Sequence, residues 1–360
     1  MKSLRFISFI TALLMTAAMA FASVGAGVSE PQENEPDVAH ILFSHIGDSY
    51  GWHIADWGGR HIAIPLPCIV KGTDGWKVFM SSKIAHGHEY EGFFIAEEGE
   101  YEGKIVMRQP DGSLERPFDI SITKNVFSLM LSGLLLIVLV LSCARWYRRH
   151  DGTDDVPSGI AAAFEPLIMM VNDSLVKENI GTDYKRYSPY LLTVFFFIFL
   201  NNLLGIVPFF PGGANVTGNI AVTFVLAACT FIAVNVFGNK HYWKEILWPD
   251  VPLFLKFPLP IMQIIELFGL FAKPFSLMVR LFANILAGHA MILGLVSVIF
   301  VTVQLGLVIN GAMTFFTVLF GVFMNCLELL VAFIQAYVFT MLSAVFIGLS
   351  RQEADAHGEE

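Results

Sequence analysis

The sequence predicts an all-α polytopic membrane protein, with three spans and a long, strongly slanted helical hairpin, preceded by a small β-rich exported domain. Three observations predict it. The 360 residues are 55% hydrophobic with 33 Phe and a mean hydropathy of +0.63, whereas ordinary soluble chains are about 45–50% apolar. Residues 23–125 hold 16 Asp/Glu against 8 Lys/Arg, so most of the net charge of −9 is confined there. Beyond that acidic segment, long stretches lack any charged residue. This distribution gives no basic surface for nucleic acid.

The first residues, "MKSLRFISFITALLMTAAMAFAS", place Lys2 and Arg5 before an apolar run and small residues around Ala22. That is the layout of a signal peptide over residues 1–22, which would export the acidic segment. Residues 23–38 are polar and rich in Pro and Glu, a flexible lead-in. Residues 39–124 form the β-rich domain. "HIAIPLPCIV", "WKVFMSS" and "DISIT" show partial alternation or β-branched enrichment, and "RQPDGSLERP" carries a Pro-Asp-Gly turn signal. Six of the ten histidines fall here, but His86 and His88 have no diagnostic ligand spacing, so no metal site is assigned. Cys68 is the only cysteine of this segment, so no disulfide closes within it, and Cys143, Cys229 and Cys326 read as small buried apolar residues.

The membrane domain is expected over residues 125–350. Residues 126–144, 190–210 and 219–239 contain no Asp, Glu, Lys or Arg, and each has the ~20 residues a span requires. Residues 159–181 read as an amphipathic helix on the membrane surface. Arg145, Arg148 and Arg149 after the first span favour a cytoplasmic loop, which agrees with export of the N-terminal domain. The last two elements are arms of about 258–305 and 312–350, with a turn expected around Gly306 and Asn310-Gly311. Each arm is roughly 60–68 Å as helix, so crossing ~30 Å of hydrocarbon requires a steep slant. Residues 351–360 form a short, polar cytoplasmic tail.

Between Pro274 and Ser350 the only Asp, Glu, Lys or Arg residues are Arg280 and Glu328. A mid-membrane arginine costs at least ~2.5–3.5 kcal/mol, so its presence needs a reason. Ser276 and Asn284 lie one helical turn either side of it, with Ala283, Ala287 and Gly288 keeping that surface low. His289, nine residues on, points to nearly the opposite side. On the second arm Asn325, Glu328 and Gln335 make a polar stripe on an apolar helix, suited to a proton path. Glu266 and Lys273, two turns apart, are expected to pair.

"SLMVRLFANILAGH", "ELLVAFIQAYVFTML" and "NNLLGIVPF" resemble subunit a of the membrane sector of rotary (F-type) ATP synthase, across about residues 160–350. The resemblance implies a non-catalytic stator subunit of a bacterial inner membrane, whose slanted hairpin faces a ring of c subunits and whose other partners are b-type peripheral stalk subunits and the bilayer. It implies that Arg280 opposes the ring's essential carboxylate, and that Asn284, His289, Glu328 and Gln335 line a half-channel. Having His289 on the first arm and Glu328 on the second resembles the reversed of the two arrangements in the family. Gly205 departs from members with an aspartate there. No GxxxxGK[ST] motif occurs, so nucleotide binding is not expected, and neither cofactor nor metal is. The competing reading is a secondary ion-coupled transporter with a midplane charge, but no internal repeat supports it.

Overall fold

The computed structural model describes residues 47–57, 60–72, 75–85, 87–96, 101–109, 113–150, 157–207, 212–248 and 261–351. The expected signal peptide, the lead-in and residues 352–360 of the tail lie outside these residues, as do His86 and the Pro-Asp-Gly turn.

Among the described residues the N-terminal part is built from three small antiparallel sheets. Strands β1 (Gly51–Trp57) and β2 (Arg60–Pro65) form a hairpin. Strand β3 (Pro67–Gly72) lies between β4 (Gly75–Met80) and β8 (Phe118–Asp119). Strands β5 (Phe93–Ile95), β6 (Ile105–Arg108) and β7 (Leu114–Glu115) make the third sheet. Period-two alternation turns Cys68 and Val70 inward, where they meet Phe79, Ile84, Phe93 and Ile105. Burial pushes the Cys68 thiol up to about 11, so it stays protonated at neutral pH. The "DISIT" segment continues β8 only through two backbone bonds, Ile120 N–H to Ile69 O and Ile122 N–H to Pro67 O. It then enters the first long helix.

That entry fixes the domain on the helical part. Helix α1 (Lys124–Arg149) has its first amides satisfied from the β domain: Lys124 N–H donates to Ser49 O (2.8 Å) and Asn125 N–H to Asp48 Oδ1 (3.0 Å). Trp52, 3% exposed, packs edge-on to Phe127 and clusters with Ala214 and Val216. Truncating so large a buried side chain costs about 3–5 kcal/mol. Trp52→Ala is therefore expected to loosen the domain, read as faster tryptic cleavage after the exposed Arg108 of β6 in membranes.

Helix α2 starts at Ile160 and runs through a π-helical stretch, Met170–Lys177, to Ile180. Its apolar face does not merely rest on a surface: Val171, Leu175 and Val176 are buried in the main helical core. Helices α3 (Tyr184–Ile206) and α4 (Ile220–Val236) supply the second and third expected spans. After α4 the chain bends by 101° into α5 (Lys240–Leu247), so the apolar run expected to reach residue 239 ends its helix earlier.

The hairpin arms are α6 (Ile261–Thr302) and α7 (Leu307–Arg351), 42 and 45 residues long. At ~1.5 Å per residue they are about 63 and 68 Å, twice the ~30 Å hydrocarbon thickness. Among the described residues four helices, or five with the bent pair, are long and apolar enough to cross a membrane. The turn is tighter than the sequence suggests. It closes at Gly306, whose φ of +96° suits glycine, and Asn310-Gly311 is already helical. The Asn310 side chain faces back and accepts from the Thr302 hydroxyl at 3.0 Å, so this asparagine joins the arms.

Leu191, Phe195 and Ile198 of α3, Leu277, Leu281 and Ile285 of α6, and Ala336, Phe339 and Ile347 of α7 form the common core. Gly348 lets α7 meet the end of α2, since a Cβ there would lie 2.1 Å from the Asn179 carbonyl oxygen. Two cysteines depart from expectation. Cys143 is buried, but Cys229 and Cys326 are exposed on the helical surface. In a membrane protein a lipid-facing position is as apolar as a core one, so sequence does not separate the two.

Candidate functional site

Two long helices in antiparallel contact bring together residues far apart in sequence. His289 of α6 and Glu328 of α7 meet with Nδ1 and Oε1 2.6 Å apart, at 16% and 7% side-chain exposure. Small residues make the space. A Cβ on Gly288 would come within 3.2 Å of Glu328 Oε1, and a Cβ on Gly205 of α3 would lie 3.6 Å from His289 Nε2. Three helices thus wall one site, with a glycine on two of them. In surroundings this apolar, an isolated charge is costly. A carboxyl and an imidazole in contact avoid that cost, because one proton can be held between them at either atom.

Asn202, one turn before Gly205, holds α3 against α7. Its amide donates to the Ala332 carbonyl (3.2 Å), one turn beyond Glu328, and its oxygen accepts from the Thr217 hydroxyl (2.6 Å). All three are fully or nearly fully buried. Sequence reasoning missed this tether, although adjacent asparagines in an apolar helix were its visible signal. A second hydrogen-bonded chain, from the half-buried Tyr190 to Thr230 (3.1 Å) to Ser343 (3.2 Å), links α3, α4 and α7 and was not anticipated either.

Arg280 sits two and a half turns before His289 and faces elsewhere. It is exposed, as are Ser276, Asn284, Ala283 and Ala287, whereas Leu277, Leu281 and Ile285 on the other side of α6 are buried. Among the described residues Arg280 has no hydrogen bond or ion pair. The low, polar face that surrounds it is turned away from this chain's own core. On α7, Gln335 is buried with Glu328, but Asn325 is exposed and donates to its own helix at Gly321 O (2.9 Å). Asn325 is therefore on α7 near the pair without touching it. The expected Glu266–Lys273 pair is absent among the described residues: the Lys273 ammonium lies over the Phe346 ring at 5.7 Å. Its helix turns it toward α7, where an aromatic face attracts a cation.

The family model described as ATP synthase A chain matches residues 126–348. A separate model, described as a domain of unknown function, matches residues 41–124. ATP synthase subunit a 2 of Prosthecochloris aestuarii is 39% identical over 318 residues, covering 83% of this chain and 95% of that protein. ATP synthase subunit a 2 of Chlorobaculum tepidum is 39% identical over 267 residues, 69% of this chain and 70% of its own. ATP synthase subunit a of Myxococcus xanthus is 42% identical over 259 residues, 69% and 80% of the two chains. With the matched residues taking in every membrane helix and both members of the His289–Glu328 pair, the chain belongs to the ATP synthase A chain family.

Proposed function

We propose that this chain is the stator half of the proton channel of an ATP synthase, coupling proton flow to rotation of a c ring through Arg280 and two offset half-channels. The observation that carries this reading is the division of α6 into two faces. One presents Arg280 with Ser276 and Asn284 outward; the other holds His289 against Glu328 inside the chain. A rotor needs an unpartnered cation at its surface, and a proton path needs ionisable groups sheltered from lipid.

The mechanism rests on electrostatics. A ring carboxylate is neutral while facing lipid and ionises when it meets Arg280, because an opposite charge favours the charged form. Its proton leaves on one side, and the next site is filled from the other through the His289–Glu328 pair, with Asn284, Asn325 and Gln335 along the route. Arg280 repels any proton that would pass between the half-channels without rotation. The chain itself carries out no ATP chemistry. In this reading b-type stalk subunits hold the helices fixed in a bacterial inner membrane. The N-terminal signal directs residues 23–124 out of the cytoplasm and leaves the C-terminus inside.

Cysteines at Ser276 or Asn284 are expected to form disulfides with a cysteine on the outer helix of the c ring in the assembled complex, since both share the Arg280 face. Crosslinks obtained only from the far side of α6, at Met278 for instance, would remove the ring from this face and the proposal with it.

A further inference from the structure

Away from the Arg280 face, α4 and α6 diverge to leave an open cleft of about 670 Å³ in which every lining residue is Phe, Ala, Pro or Met. Phe224 and Phe231 of α4 and Phe268, Phe271 and Phe275 of α6 wall it, and Ala228 leaves the space between them. Phe231 and Phe271 stack at 5.6 Å. Phe224, Phe268, Phe271 and Phe275 are each more than half exposed.

One end of the cleft is polar. A smaller recess shares Phe231 and Pro274 with it and adds Thr230, Asn235, Tyr242 and Lys273. This is where α4 ends and the chain bends by 101° into α5. Helix α5 exposes Lys240, Trp243, Lys244 and Leu247, whose spacing puts them on one face. Basic and aromatic residues together on a short helix set across a span suit the interface of a bilayer. Lys273 is likewise exposed. Lys273 lines this recess, and Lys240 and Lys244 stand on the exposed face of the α5 helix that adjoins it.

We propose that the cleft is a binding site for an anionic phospholipid, with acyl chain between the phenylalanine rings and phosphate on Lys273 and the lysines of α5. An apolar cavity of about 150 Å³ holds a six-carbon benzene; by that measure the cleft takes on the order of 20–30 carbons, the scale of one lipid's chains. Interfaces between membrane helices are enriched in small residues that allow close approach, whereas this cleft is walled mainly by protruding rings. Charge selects the headgroup: basic side chains at the membrane surface attract anionic lipids over zwitterionic ones. The inference rests on the membrane helices alone and not on the proton pathway.

The test uses the assembled complex in phosphatidylcholine vesicles containing a minor fraction of phosphatidylglycerol with a diazirine-bearing acyl chain. In parallel vesicles the same chain is carried by phosphatidylcholine. After irradiation, peptides of this chain are mapped for adducts. Adducts should concentrate on the α4 and α6 peptides that wall the cleft, at least threefold more from phosphatidylglycerol than from phosphatidylcholine. Ala228→Trp should reduce them severalfold while leaving adducts on the exposed Met130 and Leu134 of α1. Lys240→Gln/Lys244→Gln, which alters neither α4 nor α6, should lower the headgroup preference, and adding Lys273→Gln should abolish it. Labelling spread evenly over α1, α4 and α6, equal labelling by both lipids, or a cleft unlabelled while α1 is labelled would each overturn the proposal. The last result would mean that another subunit fills it.

Discussion

Exchanging His289 and Glu328 together should restore part of the proton pumping that either substitution alone removes. His289→Glu places two carboxylates where the structure holds an acid and an imidazole 2.6 Å apart. Neither carboxylate then has a base to share its proton, and like charges in contact are strongly disfavoured. Glu328→His leaves two imidazoles and no acid. The double exchange rebuilds one acid and one base in the same pocket, with the partners on opposite arms. Residues in direct contact couple by about 0.5–3 kcal/mol, and ~1.4 kcal/mol corresponds to a tenfold change in rate. Each single change should therefore cut ATP-driven pumping at least tenfold, with the double about tenfold above the level that adding the two losses gives. The recovery will be incomplete. Gly288 and Gly205 are shaped around the present arrangement, each within 3.2–3.6 Å, for an added Cβ, of one member of the pair. Pumping measured in all four versions at matched expression decides the matter, and simply additive losses would separate the two residues.

Much of this site could be read from sequence because polar residues stranded in apolar helices need a purpose. His289, Glu328 and Arg280 stood out for that reason. The 3.6-residue period also assigned His289 and Arg280 to different sides of α6. The Asn202–Thr217–Ala332 tether was less legible, since its donors and acceptors are 15 and 130 residues apart and asparagine in a helix has many possible partners. Local signals misled where tertiary contacts decide. Of the two turn signals, Gly306 supplies the left-handed residue, whereas Asn310-Gly311 is helical and Asn310 bonds to Thr302 instead. Glu266 and Lys273 share a helix face two turns apart, but the lysine lies over Phe346 of the facing helix instead. In the N-terminal domain the sequence pattern marked β2, β3 and β4, but not β1, β5 or β6, and most of "DISIT" lies beyond β8. The pattern did not show that the strands divide into three small sheets or that Trp52 seats them on α1.

Arg280→Ala should abolish coupled pumping while leaving the complex assembled. The side chain is exposed and, among the described residues, bonded to nothing, so its removal leaves no orphaned partner within the chain. The loss falls on the ring instead. Without a cation, nothing favours ionisation of the carboxylate as it passes, and nothing keeps protons from running between the two half-channels. Arg280→Lys keeps the charge but replaces a planar, permanently protonated fork by a compact ammonium, so it should retain little coupling while limiting the leak. The most direct test of the account is therefore proton movement in inverted vesicles carrying Arg280→Ala complexes at normal abundance. ATP should produce no acidification, and an imposed proton gradient should decay faster than in wild-type vesicles. Normal ATP-driven acidification by the Arg280→Ala complex would contradict the central role given to this arginine.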